Sequence, residues 1–290
     1  MSWEVQAIEA LQALANPVLD FFFRIMTECG GDIFWLLAIF TCFALGRRRD
    51  ALNISVLLLA NFYITFSLKY AIRRPRPGPE LQRILRKESP SMPSTHAAEA
   101  SGNFGYVARR TRKRWATLAC VVLTVLAGMS RIYFGVHWPT DVLAGFALGL
   151  LVLLVYVLGL EPRISSWVPR IWPRRRYLIP LPLIVGIALA FLTPAEWEAP
   201  PGTYIGGLVA GIFLGVLLAG EGEVLSPGRK GDLVLTAACV LIGFLGLAFS
   251  TLMSGALQFL ASTITGLWAS WVGPGAIRGL RRRFLVSTGQ

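Results

Sequence analysis

The stretch SRIYFGVHWPTD (130–141) leads directly into VLAGFALGLLVLLVYVLGL (142–160), an uninterrupted apolar run. About 20 apolar residues are what an α-helix needs to cross a bilayer, so a segment with charged residues and a histidine stands at the entrance of a predicted membrane helix. Similar apolar blocks recur along the 290-residue chain, which is 54% hydrophobic and only 15% charged. The core of a soluble domain could not bury so many uninterrupted apolar segments. The pattern predicts an all-α, polytopic transmembrane helix bundle.

About nine spans are predicted. They are placed at 32–46, 51–71, 95–109, 115–132, 138–160, 177–193, 202–220, 232–250 and 254–272. The third span is the most polar, since it contains His96, Glu99 and Asn103, and we expect it to be buried inside the bundle. We divide the chain into an N-terminal interfacial helical segment (1–30), a core (31–160) and a C-terminal transmembrane extension (161–290).

The distribution of basic residues predicts an orientation in the membrane. The net charge is +12, and most of the 28 Lys and Arg residues fall in alternate loops and in the C-terminal tail. Basic loops stay in the cytoplasm. We therefore expect a cytoplasmic C-terminus in a bacterial inner (plasma) membrane, with segment 130–141 on the periplasmic, extracytoplasmic side. Because the basic residues are distributed over alternate loops as membrane topology requires, nucleic acid is not an expected partner.

Three cations near segment ends are candidate anion ligands. Lys69, Arg76 and Arg131 stand at the ends of apolar segments, where burial without a partner is costly. Few acids accompany them, and guanidinium groups match phosphate oxygens in paired hydrogen bonds, which favours a tetrahedral oxyanion. The alternative is snorkelling, in which an apolar stem lies in lipid while the charged head reaches water. We assign snorkelling to the other cations of this region, namely Arg73, Arg74, Arg83, Arg86 and Lys87.

The block PSTH (93–96) predicts a helix start that faces the anion. Ser94 or Thr95 should cap the third span, and free N–H groups at a helix start favour phosphate. Both residues are therefore candidate phosphate ligands. His96 would lie in the first turn, where the role of a general acid fits it.

His137 is the candidate nucleophile. Pro139 suits the first turn of a helix and places Asp141 about one turn beyond His137. A carboxylate at that spacing can fix one imidazole nitrogen and leave the other free to attack. We expect no metal and no cofactor, because the cations beside both histidines would repel a divalent ion.

Taken together, the three blocks resemble the type 2 phosphatidic acid phosphatase superfamily. Its motifs are matched here by Lys69, Arg76 and Pro77, by Pro93, Ser94 and His96, and by Ser130, Arg131, His137 and Asp141. The resemblance covers roughly residues 30–160 and implies a six-helix, metal-independent phosphatase core. It implies a phosphohistidine on His137, protonation of the leaving alkoxide by His96, orientation of His137 by Asp141, and phosphate binding by Lys69, Arg76, Ser94 and Arg131. Thr95 stands where glycine is commonest, and this variant resembles the sphingosine and long-chain-base phosphate phosphatase branch.

The leading hypothesis is a membrane phosphatase for a lipid phosphate or diphosphate at the outer leaflet, with membrane lipids as its other partners. A lipid-linked phosphotransferase with the same site and a non-enzymatic lipid or anion transport protein are the alternatives. The seventh span carries a small residue at every fourth position, at Gly207, Gly211, Gly215 and Ala219. Such a ridge permits close helix packing within the chain, or an oligomer.

Overall fold

The structure is a computed structural model that describes residues 2–83, 87–164, 166, 172–197, 200–219 and 233–277. Regular structure in these ranges is helical throughout, with no strand, which confirms the predicted fold class. The chain divides into two compact units. Unit 1 comprises Met1–Leu36 and Ile54–Ile164, and unit 2 comprises Leu37–Asn53 and Ser165–Gln290. The three-part division predicted from the sequence stays a prediction.

The helices follow the apolar segments closely. They are α1 (Trp3–Gln12), α2 (Pro17–Glu28), α3 (Asp32–Ala44), α4 (Arg48–Ile72), α5 (Thr95–Thr111), α6 (Arg114–Tyr133), α7 (Pro139–Val155), α8 (Pro180–Leu192), α9 (Gly202–Leu218), α10 (Leu233–Thr251) and α11 (Gly255–Leu267). Single π-helical turns extend α7 through Tyr156–Leu160 and α11 through Trp268–Val272, and a 3₁₀ helix, Trp172–Leu178, precedes α8.

Four helices are long and apolar enough to cross a membrane: α4, α6, α7 with its extension to Ile164, and α10. Two bent pairs also pass as broken spans or re-entrant segments, namely α2 with α3 at 55° and the 3₁₀ helix with α8 at 50°. The chain is an integral membrane protein. Length and composition give four to six spans among the described residues, so the number nine stays a prediction.

Helix α5 is buried within unit 1, as its polar composition predicts. Glu99 and Asn103 are fully buried, and α5 packs closely against α7. Gly145 and Gly149 of α7 make this approach possible. A Cβ added at Gly145 would lie 2.5 Å from the Ser94 carbonyl oxygen, and one added at Gly149 would collide with the Ala98 carbonyl.

In unit 2, the small-residue ridge of α9 packs within the chain. A side chain at Gly207 would collide with the carbonyl of Phe259, and one at Gly211 with the carbonyl of Thr263, both on α11. Close helix approach in lipid depends on such small residues. The ridge is therefore used intramolecularly along these two turns, while an oligomer through it stays a prediction.

Candidate active site

His137 lies just before α7, with Asp141 in the first turn of that helix. Both side chains are buried, and Pro139 begins α7 as predicted. The backbone N–H of Trp138 donates to Asp141 Oδ2 at 2.9 Å, which fixes the carboxylate. The same oxygen lies 3.6 Å from His137 Nδ1, slightly beyond hydrogen-bond distance. Asp141 therefore faces Nδ1, and Nε2 is the nitrogen turned towards the cations.

Arg76 lies on the Nε2 side of the imidazole. Its Nη1 is 3.2 Å from His137 Nε2 and donates to the Val136 carbonyl at 2.5 Å. Its Nε and Nη2 donate to the carbonyl and hydroxyl oxygens of Ser89 at 2.6 and 3.0 Å. Because the guanidinium is planar and rigid, these bonds hold it in one orientation beside the nucleophilic nitrogen.

Lys69, in the last turn of α4, is only 2% exposed. Its ammonium donates to the carbonyls of Pro90 and Ser91 at 3.1 and 2.9 Å. The Ser91 N–H in turn donates to the Arg74 carbonyl at 2.8 Å. Lys69 thus ties the end of α4 to the segment that immediately precedes PSTH.

The PSTH block forms the N-terminus of α5, as predicted. Ser94 is the N-cap, and its hydroxyl accepts from the Ala97 N–H at 3.4 Å. The Ser94 N–H donates to the Asp141 carbonyl at 3.0 Å, so the first turns of α5 and α7 are directly joined. His96 is half-buried in the first turn of α5, and Thr95 has a buried hydroxyl with no hydrogen-bond partner.

Arg131, in the last turn of α6, is 3% exposed. Its Nη1 donates to the hydroxyl of Thr27 at 2.8 Å, while its Nε is buried without a hydrogen-bond partner. Buried polar groups in proteins are almost always hydrogen-bonded. An acceptor with negative charge would satisfy this donor.

The surroundings of His137 favour a neutral imidazole. Burial is the largest effect and, together with the positive charges of Lys69, Arg76 and Arg131 and the neighbouring His96, it holds the pKa of His137 well below its ordinary value of 6.5. A neutral imidazole is the form that can attack phosphorus.

The assignment of Arg74 to snorkelling is wrong. Its Nη1 donates to Asp141 Oδ1 and to the Thr140 hydroxyl, both at 2.6 Å, and its Nη2 donates to Glu4 Oε2 at 2.8 Å. Glu4 belongs to α1, which the sequence places at the interface. Asp141 faces the imidazole with Oδ2, so its Oδ1 needs a donor, and Arg74 supplies it. No pattern in the sequence points to Glu4 or Thr27.

Arg83 also lies within hydrogen-bond distance of a carboxylate: its Nη2 is 3.3 Å from both oxygens of Asp20, and its guanidinium stacks 5.7 Å from the centre of the Tyr133 ring. Arg83 thereby connects Asp20 on α2 with Tyr133 on α6, while part of its side chain remains exposed. Arg86 lies outside the described residues, so its snorkelling stays a prediction.

Comparison with known protein families finds a match that covers the site. Residues 50–165 match the model of the PAP2 superfamily, and this range contains all three blocks. The chain is 26% identical over 234 residues to the probable sphingosine-1-phosphate phosphatase of Dictyostelium discoideum, a match that covers 74% of this chain and 57% of the relative. It is 35% identical over 109 residues to phosphatidylglycerophosphatase B of Bacillus subtilis, which covers 34% of this chain and 52% of the relative.

A third relative is an undecaprenyl-diphosphatase of Sulfolobus acidocaldarius, at 29% identity over 43% of this chain and 62% of the relative. The chain thus spans between about half and three fifths of the length of these curated relatives. Among solved structures, a transmembrane PAP2-type phosphatidylglycerolphosphate phosphatase from Bacillus subtilis is similar at 27% identity, with a TM-score of 0.49, over 56% of this chain and 85% of the other.

Proposed function

We propose that this chain, which carries a PAP2 superfamily domain over residues 50–165, is an integral membrane phosphatase that hydrolyses a lipid phosphate or diphosphate monoester through a phosphohistidine. The printed names of its relatives include phosphatases for sphingosine 1-phosphate, phosphatidylglycerophosphate and undecaprenyl diphosphate. These names support a lipid phosphate as the substrate class and leave the headgroup and the lipid chain open.

At His137, a buried imidazole presents Nε2 to a guanidinium while a carboxylate faces Nδ1, and this arrangement supports a phosphohistidine. Arg76 Nη1 lies 3.2 Å from Nε2 of His137, and Asp141 lies 3.6 Å from Nδ1. Arg76 and the unpartnered Arg131 Nε can both donate to a bound phosphate, and Arg76 lies on the Nε2 side of His137. Simple anion binding requires neither the imidazole nor the carboxylate that orients it.

In the first step on a lipid monophosphate, Nε2 of His137 attacks phosphorus and the bond from phosphorus to the oxygen of the lipid alcohol breaks; a diphosphate reacts at its terminal phosphorus and releases the lipid monophosphate instead. His96 gives its proton to the departing alkoxide, so the alcohol leaves neutral. The carboxylate of Asp141, which faces Nδ1–H, stabilises the positive imidazolium ring that forms. Lys69, Arg76 and Arg131 neutralise the charge on the phosphoryl oxygens.

In the second step, water attacks the phosphohistidine and the bond between phosphorus and Nε2 breaks. His96, now neutral, takes a proton from that water, which restores both histidines and releases inorganic phosphate. We place the reaction at the outer leaflet. The loops rich in Lys and Arg join the helix ends opposite to the site, and basic loops stay in the cytoplasm. At this height a headgroup phosphate can enter the site while the lipid chains stay in the bilayer.

The test is release of phosphate from a panel of lipid phosphates and diphosphates by purified protein in EDTA, wild type against His137→Ala. We expect release by wild type to persist in EDTA, and loss of many orders of magnitude in the variant. In the described residues, no group of three or more His, Cys, Asp or Glu side chains is placed to hold a metal ion.

Equal release by both proteins, or no release from any lipid, would overturn the proposal. Addition of acceptor alcohols separates hydrolysis from phosphoryl transfer, since transfer yields a new phosphate ester in place of inorganic phosphate. Lipid or anion movement across proteoliposomes that survives His137→Ala would indicate a transport protein.

A further inference from the structure

Helix α1 reaches the site through a single carboxylate, Glu4. Its Oε1 accepts from the N–H of Thr140 at 3.3 Å and from the hydroxyl of the same residue at 2.6 Å. Its Oε2 accepts from Arg74 Nη2 at 2.8 Å. The Glu4 side chain is only 14% exposed. It therefore caps the N-terminus of α7 from a different helix and binds Arg74 at the same time.

Arg74 joins this carboxylate to the one that faces the nucleophile. One arm of its guanidinium binds Glu4, and the other binds Asp141 Oδ1 at 2.6 Å. With Oδ1 held in this way, Oδ2 is the oxygen that receives the Trp138 N–H and faces His137. The carboxylate cannot rotate about its own axis without breaking one of these bonds.

We propose that Glu4 and Arg74 are positioning residues that hold Asp141 in the orientation that serves His137. The inference rests on the proposed function, and it extends the site to α1, outside residues 50–165. Neither residue touches the reacting atoms; both act through Asp141.

The charges explain why Arg74 needs a second carboxylate. Without Glu4, the guanidinium would pair with Asp141 only. That pairing would leave less of the negative charge of Asp141 to stabilise the imidazolium. Glu4 accepts a hydrogen bond from Nη2, the nitrogen of this guanidinium that does not bind Asp141. Burial raises the pKa of Glu4, but hydrogen bonds from Thr140 and the charge and hydrogen bond of Arg74 outweigh it, so the pKa of this carboxyl is lowered and it is ionised at neutral pH.

A kinetic experiment tests the route of action. Glu4→Gln keeps an acceptor for Thr140 but cannot accept from Arg74, whereas Glu9→Gln changes an exposed carboxylate on the same helix and serves as the control. We expect Glu4→Gln to lower kcat about tenfold with little change in KM, and Glu9→Gln to leave both unchanged. In an Asp141→Asn background, Glu4→Gln should lower kcat by less than about twofold, because the two residues act in series.

Equal kcat for Glu4→Gln and Glu9→Gln, or full additivity with Asp141→Asn, would overturn the inference and leave the proposed phosphatase standing. A wild type that releases no phosphate would instead remove the proposed function. The spectroscopic experiment below tests the inference in that case as well.

The chain has two histidines, so ¹⁵N-histidine labelling gives two imidazole spin systems, which His96→Gln assigns. His137 is faced by Asp141, Lys69, Arg76, Arg131 and His96. We expect Glu4→Gln to shift the Nδ1 signal of His137 and to lower its protonation midpoint, since a nearby negative charge is lost, while Glu9→Gln has no effect. An unchanged His137 signal in folded Glu4→Gln protein would overturn the inference whatever the activity.

Discussion

Gly145→Ala tests whether the close approach of α5 and α7 sets the distance between the two histidines. A Cβ at this position would lie 2.5 Å from the Ser94 carbonyl oxygen, where ordinary contact begins at 3.4 Å. The helices must therefore separate by roughly 0.9 Å at the turn that carries His96. A misplacement of about 1 Å can cost about 100-fold in rate, which equals about 2.7 kcal/mol in the barrier. Overpacking should also cost about 1–3 kcal/mol of stability.

Gly159→Ala is the matched control. Gly159 lies in the π-helical extension of α7, and a Cβ there meets only the end of the flexible Arg163 side chain, at 3.5 Å. The assay is single-turnover phosphate release at saturating lipid, together with thermal unfolding of each protein in the same detergent. We expect about 100-fold slower turnover for Gly145→Ala and wild-type turnover for Gly159→Ala. A folded Gly145→Ala protein with wild-type turnover would refute the argument that this contact positions His96 relative to His137.

Three further outcomes are expected. His96→Ala should slow release from an alkyl phosphate by about 10²–10⁴-fold and should be partly rescued by an aryl phosphate whose leaving group needs no proton; equal loss on both substrates would remove the acid role. Thr27→Val should remove a hydrogen bond from Arg131 Nη1, cost about 1–3 kcal/mol and raise KM more than it lowers kcat; an unchanged KM would show that this bond does not orient the guanidinium. Because the lowered pKa of His137 keeps its imidazole neutral as the pH falls through 6.5, the acid limb of kcat/KM, corrected for titration of the substrate, should lie below that pH. An acid limb centred at or above pH 6.5 would contradict this.

The helix starts at the site were predictable because they depend on local chemistry. Ser94 caps α5 and Pro139 begins α7, and both signals lie within a few residues of the structure they specify. The burial of α5 was predictable for a similar reason, since Glu99 cannot face lipid.

The supporting network could not be predicted because it joins residues that are distant in sequence. Glu4 and Arg74 are 70 positions apart, and Thr27 and Arg131 are 104 apart. An arginine that binds carboxylates at a membrane edge has the same sequence signature as one that snorkels, so Arg74 was misassigned. Only the position of α1 relative to α7 distinguishes the two.

Helix boundaries in unit 2 show another limit. Apolar runs predicted its segments, but they did not predict the bend of 50° before α8 or the π-helical turn after α11. Hydropathy does not encode how a run is divided between regular and irregular turns.

Trapping of the covalent intermediate tests most directly whether His137 attacks phosphorus. Wild-type protein is mixed with a lipid phosphate, quenched within the first turnover under alkaline conditions and digested for mass spectrometry. We predict a phosphorylated peptide that contains His137, absent from His137→Ala and lost again as phosphate is released. Turnover by wild type with no phosphorylated residue in that peptide at any time would show that His137 is not the nucleophile. An equal yield of a different phosphopeptide from His137→Ala would show the same.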